Sequence, residues 1–482
     1  MMEEKYAFDE FQLGTSARCR VSMDTHKTQC NNNILVVGGS GSGKTRSILN
    51  PMMLHLKYGN AVGVFTKTGM THDIARMLRC RYGYKTYEID FSTPEISIYG
   101  YDPLCHCSKD TDIEALVQSI INPDQRDSHA DPFWEQSAAG LLRPVLRYVM
   151  RHAAKKNKMQ EALRLLDSVP FTHLDEWGQS WEAATSLYTC TLKDGKKVWA
   201  GEEKGEVEHG GLEAPDTIRR LKKCYLLYEL ERLERRDPQG GNAWRSLSQG
   251  AEQTSRSILQ CLQIPLQQMF TETVRRLVCH KNQFDFEKLL EPKTVLFVYT
   301  SPVNPAMNAL VSLFYSQLFT FLFERAERRL SRTLPYPVYV LCDDFATGCK
   351  VPNFAQHISV FREMGISATM LIQSESQLSA LYGEKDATTI VNNSDTYVYL
   401  GGMDYTTSQK VAARMNKPVD DILHMPIGTE YFFRRGQKPI KTKRYNLLED
   451  PDYKLMMQMK QGKTPKSETK TLGKQEKIRK SE

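Results

Sequence analysis

One stretch near the start of the sequence decides the fold: Gly38-Gly39-Ser40-Gly41-Ser42-Gly43-Lys44-Thr45. It follows the apolar run Asn33 to Val37 and has the spacing G-x-x-x-x-G-K-[ST] of a phosphate-binding loop. Glycines let backbone N–H groups converge on phosphate oxygens where a Cβ would clash. The next helix points its positive end at the anion, Lys44 is placed to reach the β- and γ-phosphates, and the Thr45 hydroxyl to ligate magnesium. The stretch therefore predicts a site for ATP with Mg²⁺.

Strand and helix signals alternate on both sides of this loop. Strand-like segments recur at Ala61 to Phe65, Thr86 to Ile89, Thr294 to Tyr299, Val338 to Cys342, Thr369 to Ile372 and Thr396 to Leu400. Helix-compatible segments separate them, which is the βαβ pattern of a parallel sheet. We predict an α/β fold, a RecA-like P-loop NTPase domain with a mainly parallel sheet. Glu430 to Arg434 and Pro439 to Arg444 flank Gly436-Gln437 and predict a hairpin that closes this domain.

The strand signal fades between about Cys107 and Asn242, where apolar residues recur at three- and four-residue intervals. The intervals lie in Ile113 to Ile121, Phe133 to His152 and Leu221 to Leu233. We therefore predict an inserted all-α domain at 107–242, with a long surface loop from about 177 to 216. The nucleotide-binding domain is predicted at 1–106 and 243–452, and a basic disordered tail at 453–482.

Composition sets the class of protein. The chain has 482 residues with 40% apolar content, enough for two or three globular domains. Its net charge of +7 resides largely in Lys460 to Glu482, which holds seven Lys and one Arg against three Glu. That stretch is expected to be a disordered, solubilising end, with a nucleic-acid or partner arm as the alternative. The rest of the chain is near neutral, so charge alone does not indicate a DNA-binding face.

Nothing in the sequence predicts disulfides or a membrane span. The eleven cysteines follow no framework, and the start MMEEKYAFDE is unlike a signal peptide, so a reducing cytoplasm is expected. Cys105-His106-Cys107 is too compact for a structural zinc site and is expected to be a surface turn. The most apolar segment, Ala306 to Phe323, contains polar residues and is expected to be a core helix.

Such a loop requires a carboxylate at the end of a neighbouring strand to hold the magnesium. Asp343 and Asp344 follow the apolar strand Val338 to Cys342. Asp343 ends the strand and is the predicted magnesium partner, while Asp344 stands where a second carboxylate can orient the attacking water. Gln373, after the strand Thr369 to Ile372, is a candidate γ-phosphate sensor or a loop amide. Arg362, in the preceding helix, is a candidate transition-state cation or a solvated surface residue.

These segments together resemble the type IV secretion coupling proteins, the hexameric ATPases of conjugation within the FtsK-like DNA translocase superfamily. The resemblance runs from about Asn33 to Lys417. It is carried by the glycine loop with Asn50-Pro51, by Tyr101-Asp102-Pro103-Leu104, Asp131-Pro132-Phe133-Trp134-Glu135, Asp343-Asp344-Phe345, Val351-Pro352-Asn353-Phe354, Phe361-Arg362-Glu363-Met364-Gly365-Ile366-Ser367, and Ile372-Gln373-Ser374-Glu375-Ser376-Gln377-Leu378.

The resemblance implies roles that spacing alone does not give. Arg362 resembles the arginine finger offered to a neighbouring subunit's nucleotide, and Gln373 the family's glutamine sensor. The insertion resembles the family's all-α domain. Implied partners are single-stranded DNA, a relaxase and its relaxosome, the ATPase of the secretion channel, a membrane anchor protein and further copies of the chain in a hexamer. The implied location is the bacterial cytoplasm, with recruitment to the inner face of the membrane by a partner.

The sequence departs from the family pattern at three places. The family usually has Glu where this chain has Asp344, and a carboxylate displaced by more than about 1 Å can cost on the order of a hundredfold in rate. The family's Asp-Pro-Lys-Gly-Glu turn is here Thr66-Lys67-Thr68-Gly69-Met70. Members commonly carry two N-terminal membrane spans, which this chain lacks.

Two other functions are compatible with the motifs. An ATP-binding docking protein of the relaxosome with little or no hydrolysis is the main alternative to an ATP-driven DNA motor, and Asp344 is its support. A small-molecule P-loop kinase is disfavoured, because about 300 residues separate Lys44 from Asp343, whereas kinases usually keep these parts in one compact domain.

Overall fold

The structure is a computed structural model that describes residues 8–66, 69–122, 132–152, 157–167, 190–192, 197–198, 207–208, 242–244, 246–247, 251–301, 303, 305–345, 347 and 349–461. It divides into two compact units, Met1–Tyr99 with Phe284–Glu482, and Gly100–Gln283. The first unit carries the glycine loop. The insertion was predicted to begin at residue 107, a few residues after the first junction of the structure. It was predicted to end at residue 242, about forty residues before the second junction.

The strands, in chain order, are β1 (Glu10–Gln12), β2 (Arg20–Ser22), β3 (Ile34–Val37), β4 (Asn60–Phe65), β5 (Lys85–Asp90), β6 (Cys190–Leu192), β7 (Lys197–Val198), β8 (Val207–Glu208), β9 (Thr294–Tyr299), β10 (Val338–Cys342), β11 (Ile366–Ile372), β12 (Thr396–Tyr399), β13 (Thr429–Arg434) and β14 (Ile440–Lys443).

The α-helices are α1 (Thr25–Thr28), α2 (Asn50–Leu54), α3 (Thr71–Met77), α4 (Asp110–Ile121), α5 (Pro132–His152), α6 (Lys158–Asp167), α7 (Glu252–Met269), α8 (Glu272–Val278), α9 (Pro305–Glu327), α10 (Phe354–Met364), α11 (Glu375–Tyr382), α12 (Glu384–Asn392), α13 (Tyr405–Met415), α14 (Val419–Leu423) and α15 (Pro451–Lys460). A π-helical turn, Thr45–Leu49, precedes α2.

Nine strands of the first unit form one sheet in the order β14-β13-β12-β3-β11-β10-β4-β9-β5. The seven strands from β12 to β5 are parallel, and the hairpin of β13 and β14 extends the sheet antiparallel. Every residue of β3, β4, β9, β10 and β11 is buried. Strands covered on both faces read as continuous apolar runs, which is why the sequence predicted them well. The predicted α/β fold and its closing hairpin are confirmed.

The order of the strands corrects one expectation. The strand that leads into Asp343 was expected to be the neighbour of the glycine-loop strand, yet β11 lies between β3 and β10. All three are parallel and in register, with Val37 beside Ile372 and Cys342 beside Met370. The turns after them therefore meet at the same carboxyl edge of the sheet, where open α/β sheets bind their ligands.

Within the second unit, α4, α5 and α6 lie in the predicted insertion, whereas α7 and α8 lie beyond its predicted end at residue 242. Three short strands, β6, β7 and β8, form a small antiparallel sheet that the prediction of an all-α domain did not include. They fall inside the stretch 177–216 that was expected to be a loop. The predicted helix at Leu221 to Leu233 lies outside the described residues.

Two further expectations need correction. The tail was predicted to be disordered from residue 453, but Tyr453 to Lys460 belong to α15, because Met456 and Met459 bury their side chains against the core. Residues 462–482 lie outside the described residues.

Cys105 and His106 form a short 3₁₀ turn as expected, whereas Cys107 is buried rather than on the surface.

The most apolar predicted segment lies in the core helix α9, as expected. Its residues Leu310, Phe314 and Leu318 are fully buried. Across the described ranges, no helix combines the length and the apolar content that crossing a bilayer requires.

Candidate nucleotide site

The glycine loop is attached to the strands on both sides of β3. The Gly38 N–H donates to the Ile372 carbonyl at the end of β11 (3.1 Å), and the Gly39 N–H donates to the Gly401 carbonyl after β12 (2.8 Å). Gly41 and Gly43 have φ angles of 73° and 83°, in the left-handed region that favours glycine. Successive turns of this kind form a concave nest of N–H groups that suits an anion.

Lys44 is nearly buried, with 7% of its surface exposed. Its Nζ donates to the carbonyls of Gly38 (2.6 Å) and Gly39 (3.2 Å), so the side chain folds back over its own loop. Burial lowers the pKa of the Lys44 ammonium, and the nearby carboxylates of Asp344 and Asp343 oppose that shift. The ammonium is thus held against the backbone of the glycine loop itself.

Thr45 and Asp343 meet directly. The Thr45 hydroxyl lies 2.9 and 3.1 Å from the two carboxylate oxygens of Asp343. Burial raises the pKa of Asp343 to about 6, helped by the neighbouring charge of Asp344 and opposed by the Thr45 hydroxyl and the Lys44 ammonium. A divalent cation would favour the ionised form, since it adds a positive charge beside the carboxylate.

These oxygens fit Mg²⁺, which in nucleotide sites uses one or two protein oxygens together with phosphates and water. A hydroxyl and a carboxylate in contact are a donor set of that kind. Within the described ranges, no three His, Cys, Asp or Glu side chains gather as a self-sufficient metal cage. Thr45 and Asp343 would therefore hold the ion only together with a nucleotide.

Asp344 stands on the turn that follows β10. Its φ of 48° is left-handed, a conformation that Asp tolerates better than most residues. The turn is fixed by hydrogen bonds from the Asp343 N–H to the Val64 carbonyl (2.8 Å) and from the Thr347 N–H to the Asp344 carbonyl (2.9 Å). The Thr66 hydroxyl lies 3.4 Å from a carboxylate oxygen of Asp344. Lys67, which follows Thr66 on the turn after β4, lies outside the described residues.

Gln373 lies exposed at the carboxyl edge, immediately after the residue that accepts from Gly38. Its N–H donates to the side-chain oxygen of Gln377 (3.2 Å), and the amide of Gln377 donates to the Thr347 hydroxyl (3.0 Å). Gln377 thus connects the turn after β11 to the turn after β10. Sequence reasoning quoted Gln377 only as part of a motif and gave it no role.

Arg362 is the one candidate that the structure places elsewhere. It is exposed in the last turn of α10, which leads into the start of β11 at the amino edge of the sheet. β11 is seven residues long, so Arg362 lies roughly 20 Å from the glycine loop of its own chain. The arginine therefore does not take part in the nucleotide site of the same subunit.

A family model for conjugative DNA transfer in the type IV secretory system matches residues 9–417. The chain belongs to this family. The coupling-protein identity inferred from the sequence is thereby confirmed. None of the curated proteins compared with this conjugative DNA transfer protein matches it.

Solved structures of coupling proteins share the fold of this family member. TrwBdeltaN70, a bacterial conjugative coupling protein, in its trigonal form with sulphate, is 17% identical with a TM-score of 0.56, over 87% of this chain and 86% of that chain. TrwB with the ATP analogue ADPNP gives the same values. VirB4 of Thermoanaerobacter pseudethanolicus is 13% identical with a TM-score of 0.50, over 94% of this chain and 100% of that chain.

One residue at the loop of this conjugative DNA transfer protein was missed altogether. Arg444 follows β14 and donates through its guanidinium to the Ser42 carbonyl, to the Leu400 carbonyl (2.9 Å) and to the Thr429 carbonyl (3.3 Å). In the sequence it was only the last residue of a predicted hairpin. It also lies beyond the residues that the family model matches.

Proposed function

We propose that the protein hydrolyses ATP to drive DNA, as a relaxase-bound single strand, towards a type IV secretion channel. The observation that carries the proposal is the contact of Thr45 with Asp343 beside the buried Lys44. Thr45 and Asp343 come from the two separate chain segments of the first unit. Their contact supports the proposal, because phosphoryl transfer uses such a hydroxyl and carboxylate beside a lysine. TrwB, which shares the fold, has been solved with ADPNP and with ADP and Mg²⁺.

Each residue of the site receives a role. The N–H groups of residues 38–45 cradle the phosphates, and the Lys44 ammonium holds the β- and γ-phosphates. Thr45 and Asp343 hold Mg²⁺, which neutralises phosphate charge when bound. Asp344 orients the attacking water and accepts its proton. Gln373 hydrogen-bonds the γ-phosphate from the end of β11.

The assembly is proposed to be a ring, because Arg362 cannot reach the nucleotide of its own subunit. An exposed cation at the amino edge of the sheet is free to complete a neighbouring subunit's site. Such a cation stabilises charge in the transition state only when the subunits are assembled. The homo-hexamer implied by the resemblance meets this requirement.

The partners are proposed from family membership. The unit Gly100–Gln283 is the candidate surface for the relaxase and its relaxosome, and single-stranded DNA is the proposed cargo. A ring focuses even a few Lys and Arg side chains into its channel, so a near-neutral body is compatible with binding DNA backbone. We propose a cytoplasmic protein that the channel ATPase and an anchor protein recruit to the membrane.

Phosphate release with and without single-stranded DNA tests the motor. We expect DNA to stimulate the wild type, and Lys44→Ala and Arg362→Ala to lose most of the activity. Arg328→Ala is the matched control, since Arg328 is an exposed cation that directly follows α9 and pairs with Glu324 in the last turn of that helix (3.4 Å). Nucleotide binding by the wild type without DNA-stimulated release would reject the motor.

A mixing experiment tests the shared site. Lys44→Ala subunits keep the arginine, and Arg362→Ala subunits keep the loop. Mixed rings therefore contain some interfaces with both groups intact. We expect the mixture to recover activity that neither variant has alone. A mixture as inactive as its components, or a fully active Arg362→Ala variant, would contradict an arginine supplied by a neighbour.

A docking protein with little hydrolysis is the second candidate function. It is favoured by one observation, the short carboxylate of Asp344 on a turn that is fixed by two backbone hydrogen bonds. Such a turn has little freedom to move the carboxylate towards a bound nucleotide. Binding of ATP that recruits the relaxase without turnover would support this function over the motor.

A further inference from the structure

Arg444 contacts the glycine loop through a backbone carbonyl of the loop. Its guanidinium donates to the carbonyl of Ser42, inside the loop, and to that of Leu400, at the end of β12. The same side chain reaches the Thr429 carbonyl at the start of β13. One cation thus connects the loop to the two strands that follow it in the sheet.

The backbone of Arg444 is itself held in place. Its N–H donates to the Gly428 carbonyl (3.0 Å), and the residue forms an isolated bridge with Gly14 on its other side. A Cβ built on Gly43 would lie 3.4 Å from a guanidinium nitrogen, which shows how closely the side chain approaches the loop. A residue anchored in this way can impose a geometry on the loop.

The neighbouring Glu430 does not compete for the guanidinium. It is fully buried on β13, and neither of its carboxylate oxygens has a hydrogen-bond partner within the part of the chain that the structure describes. Burial raises the pKa of Glu430 to about 9, although the charge of Arg444 opposes this shift. A raised pKa favours the neutral carboxyl near pH 7, and the guanidinium donates to backbone carbonyls.

The contact with Ser42 has a direct consequence for the anion site. A trans peptide unit is planar, so the Ser42 carbonyl and the Gly43 N–H point in opposite directions. No peptide bond of the described residues is cis. A cation that holds this carbonyl therefore keeps the Gly43 N–H pointing away from the guanidinium. It also polarises the peptide unit and strengthens that N–H as a donor.

We propose that Arg444 is a positioning residue of the nucleotide site, which aims the Gly43 N–H at the phosphates by holding the Ser42 carbonyl on the opposite side of the same peptide unit. The inference rests on the proposed binding of ATP by this loop. It adds a residue from the C-terminal hairpin that acts on the loop of the same subunit, unlike Arg362. It predicts an effect on nucleotide affinity rather than on the chemical step.

The test compares wild type, Arg444→Ala, Arg444→Lys and Arg434→Ala. Arg434 is the matched control, because it lies on the same hairpin and donates to the Arg20 carbonyl (3.3 Å), which is not part of the glycine loop. Affinity for ADPNP is measured by calorimetry with Mg²⁺, and KM and kcat are measured with single-stranded DNA. All measurements are made where circular dichroism shows each variant folded.

We expect Arg444→Ala to weaken ADPNP binding and to raise KM by roughly tenfold to a hundredfold, the range for a lost charged hydrogen bond. The value of kcat should change less than about threefold, because the phosphates are still aligned once bound. Arg444→Lys should recover part of the affinity, since an ammonium can hold one of the carbonyls. Arg434→Ala should match the wild type.

Equal ADPNP affinity in wild type and Arg444→Ala would overturn the inference. So would a fall in kcat at unchanged KM, because that result would place Arg444 in the chemical step. A wild type that binds no ADPNP would instead reject the proposed function, and this inference with it. The two failures are therefore distinguished by the wild-type measurement alone.

Discussion

The Thr45 hydroxyl lies against both carboxylate oxygens of Asp343, at 2.9 and 3.1 Å, although the two residues are 298 positions apart in the chain. The contact spans the end of β11, which separates their strands. It brings the phosphate loop and the carboxylate turn together. The two side chains proposed to hold Mg²⁺ are therefore in direct contact.

Removal of either partner should weaken the binding of magnesium and so lower the activity at a given Mg²⁺ concentration. We expect Asp343→Asn to lower the hydrolysis rate on the order of a hundredfold, as for other groups that stabilise transition-state charge. Thr45→Val keeps the shape of the side chain but removes the oxygen, and should raise the Mg²⁺ concentration needed for half-maximal rate. Phosphate release across a magnesium titration measures both effects.

Thr389→Val is the control for that substitution. The Thr389 hydroxyl donates to the Lys385 carbonyl within an exposed helix, at 3.0 Å. Thr389→Val should therefore leave the magnesium titration unchanged. A Thr45→Val protein with the wild-type magnesium curve would show that its hydroxyl does not ligate the ion.

The magnesium requirement should depend on pH. Burial raises the pKa of Asp343 to about 6, with the charge of Asp344 as the second cause. As pH falls through that value the carboxylate gains a proton and loses the charge that attracts a cation, so Mg²⁺ affinity should fall on the acid side. Magnesium titrations at several pH values on both sides of 6 measure this. Asp343→Asn should remove the dependence, and a variant that keeps it would assign the titration to another group.

Asp344→Glu should raise turnover. The additional methylene extends the carboxylate from the fixed turn towards the γ-phosphate, and a correction of about 1 Å can change a rate on the order of a hundredfold. We expect a gain of at least about tenfold with single-stranded DNA, at unchanged ADPNP affinity. Asp344→Asn should abolish turnover. If Asp344→Glu is slower than wild type, the shorter side chain is the functional length here.

Glu430→Gln should stabilise the protein at alkaline pH. Burial raises the pKa of Glu430 from its ordinary 4.5 to about 9, so the folded state holds a proton that the unfolded chain releases. Stability therefore decreases as pH rises from about 4.5 towards 9, and the amide removes that decrease.

Denaturant unfolding at a series of pH values measures this difference. Wild type and Glu430→Gln should be similar near pH 5, and the variant should be more stable by on the order of 1 to 3 kcal/mol near pH 8. Glu327→Gln, an exposed residue of α9, serves as control and should follow the wild type. Parallel curves for wild type and Glu430→Gln would mean that Glu430 is ionised in the fold.

Local chemistry predicted much of this fold and of its site. The buried parallel strands were found within a few residues, because each is a short apolar run between helical segments. Lys44, Thr45 and Asp343 could be chosen because the loop has a fixed spacing and because a carboxylate that ends a strand has few other reasons to be there. The structure brings these three side chains together.

The remainder depends on contacts between distant segments. The position of β11 between β3 and β10 is a matter of strand order, which apolar runs do not encode. Arg444 looks like any basic residue at the end of a hairpin, and only the folded sheet places it behind Ser42. The short strands β6 to β8 did have a local signal, because Tyr188, Cys190 and Leu192 alternate with threonines ahead of Asp194-Gly195, but the prediction of a loop in this stretch passed over it.

Strand β11 has a property that follows from its two ends. Gln373 directly follows the carboxyl end of β11, beside the glycine loop. Arg362 precedes the amino end of the same strand, about 20 Å from that loop. All seven residues of β11 are buried, with Ile366 to Met370 paired to β10 and Thr369 to Ile372 paired to β3, so the strand cannot shorten or bend easily. In the proposed ring, if Gln373 and Arg362 have their proposed roles, a displacement that begins at one γ-phosphate would reach the next nucleotide as a displacement of the arginine. Subunits connected in this way would hydrolyse ATP in succession around the ring rather than independently.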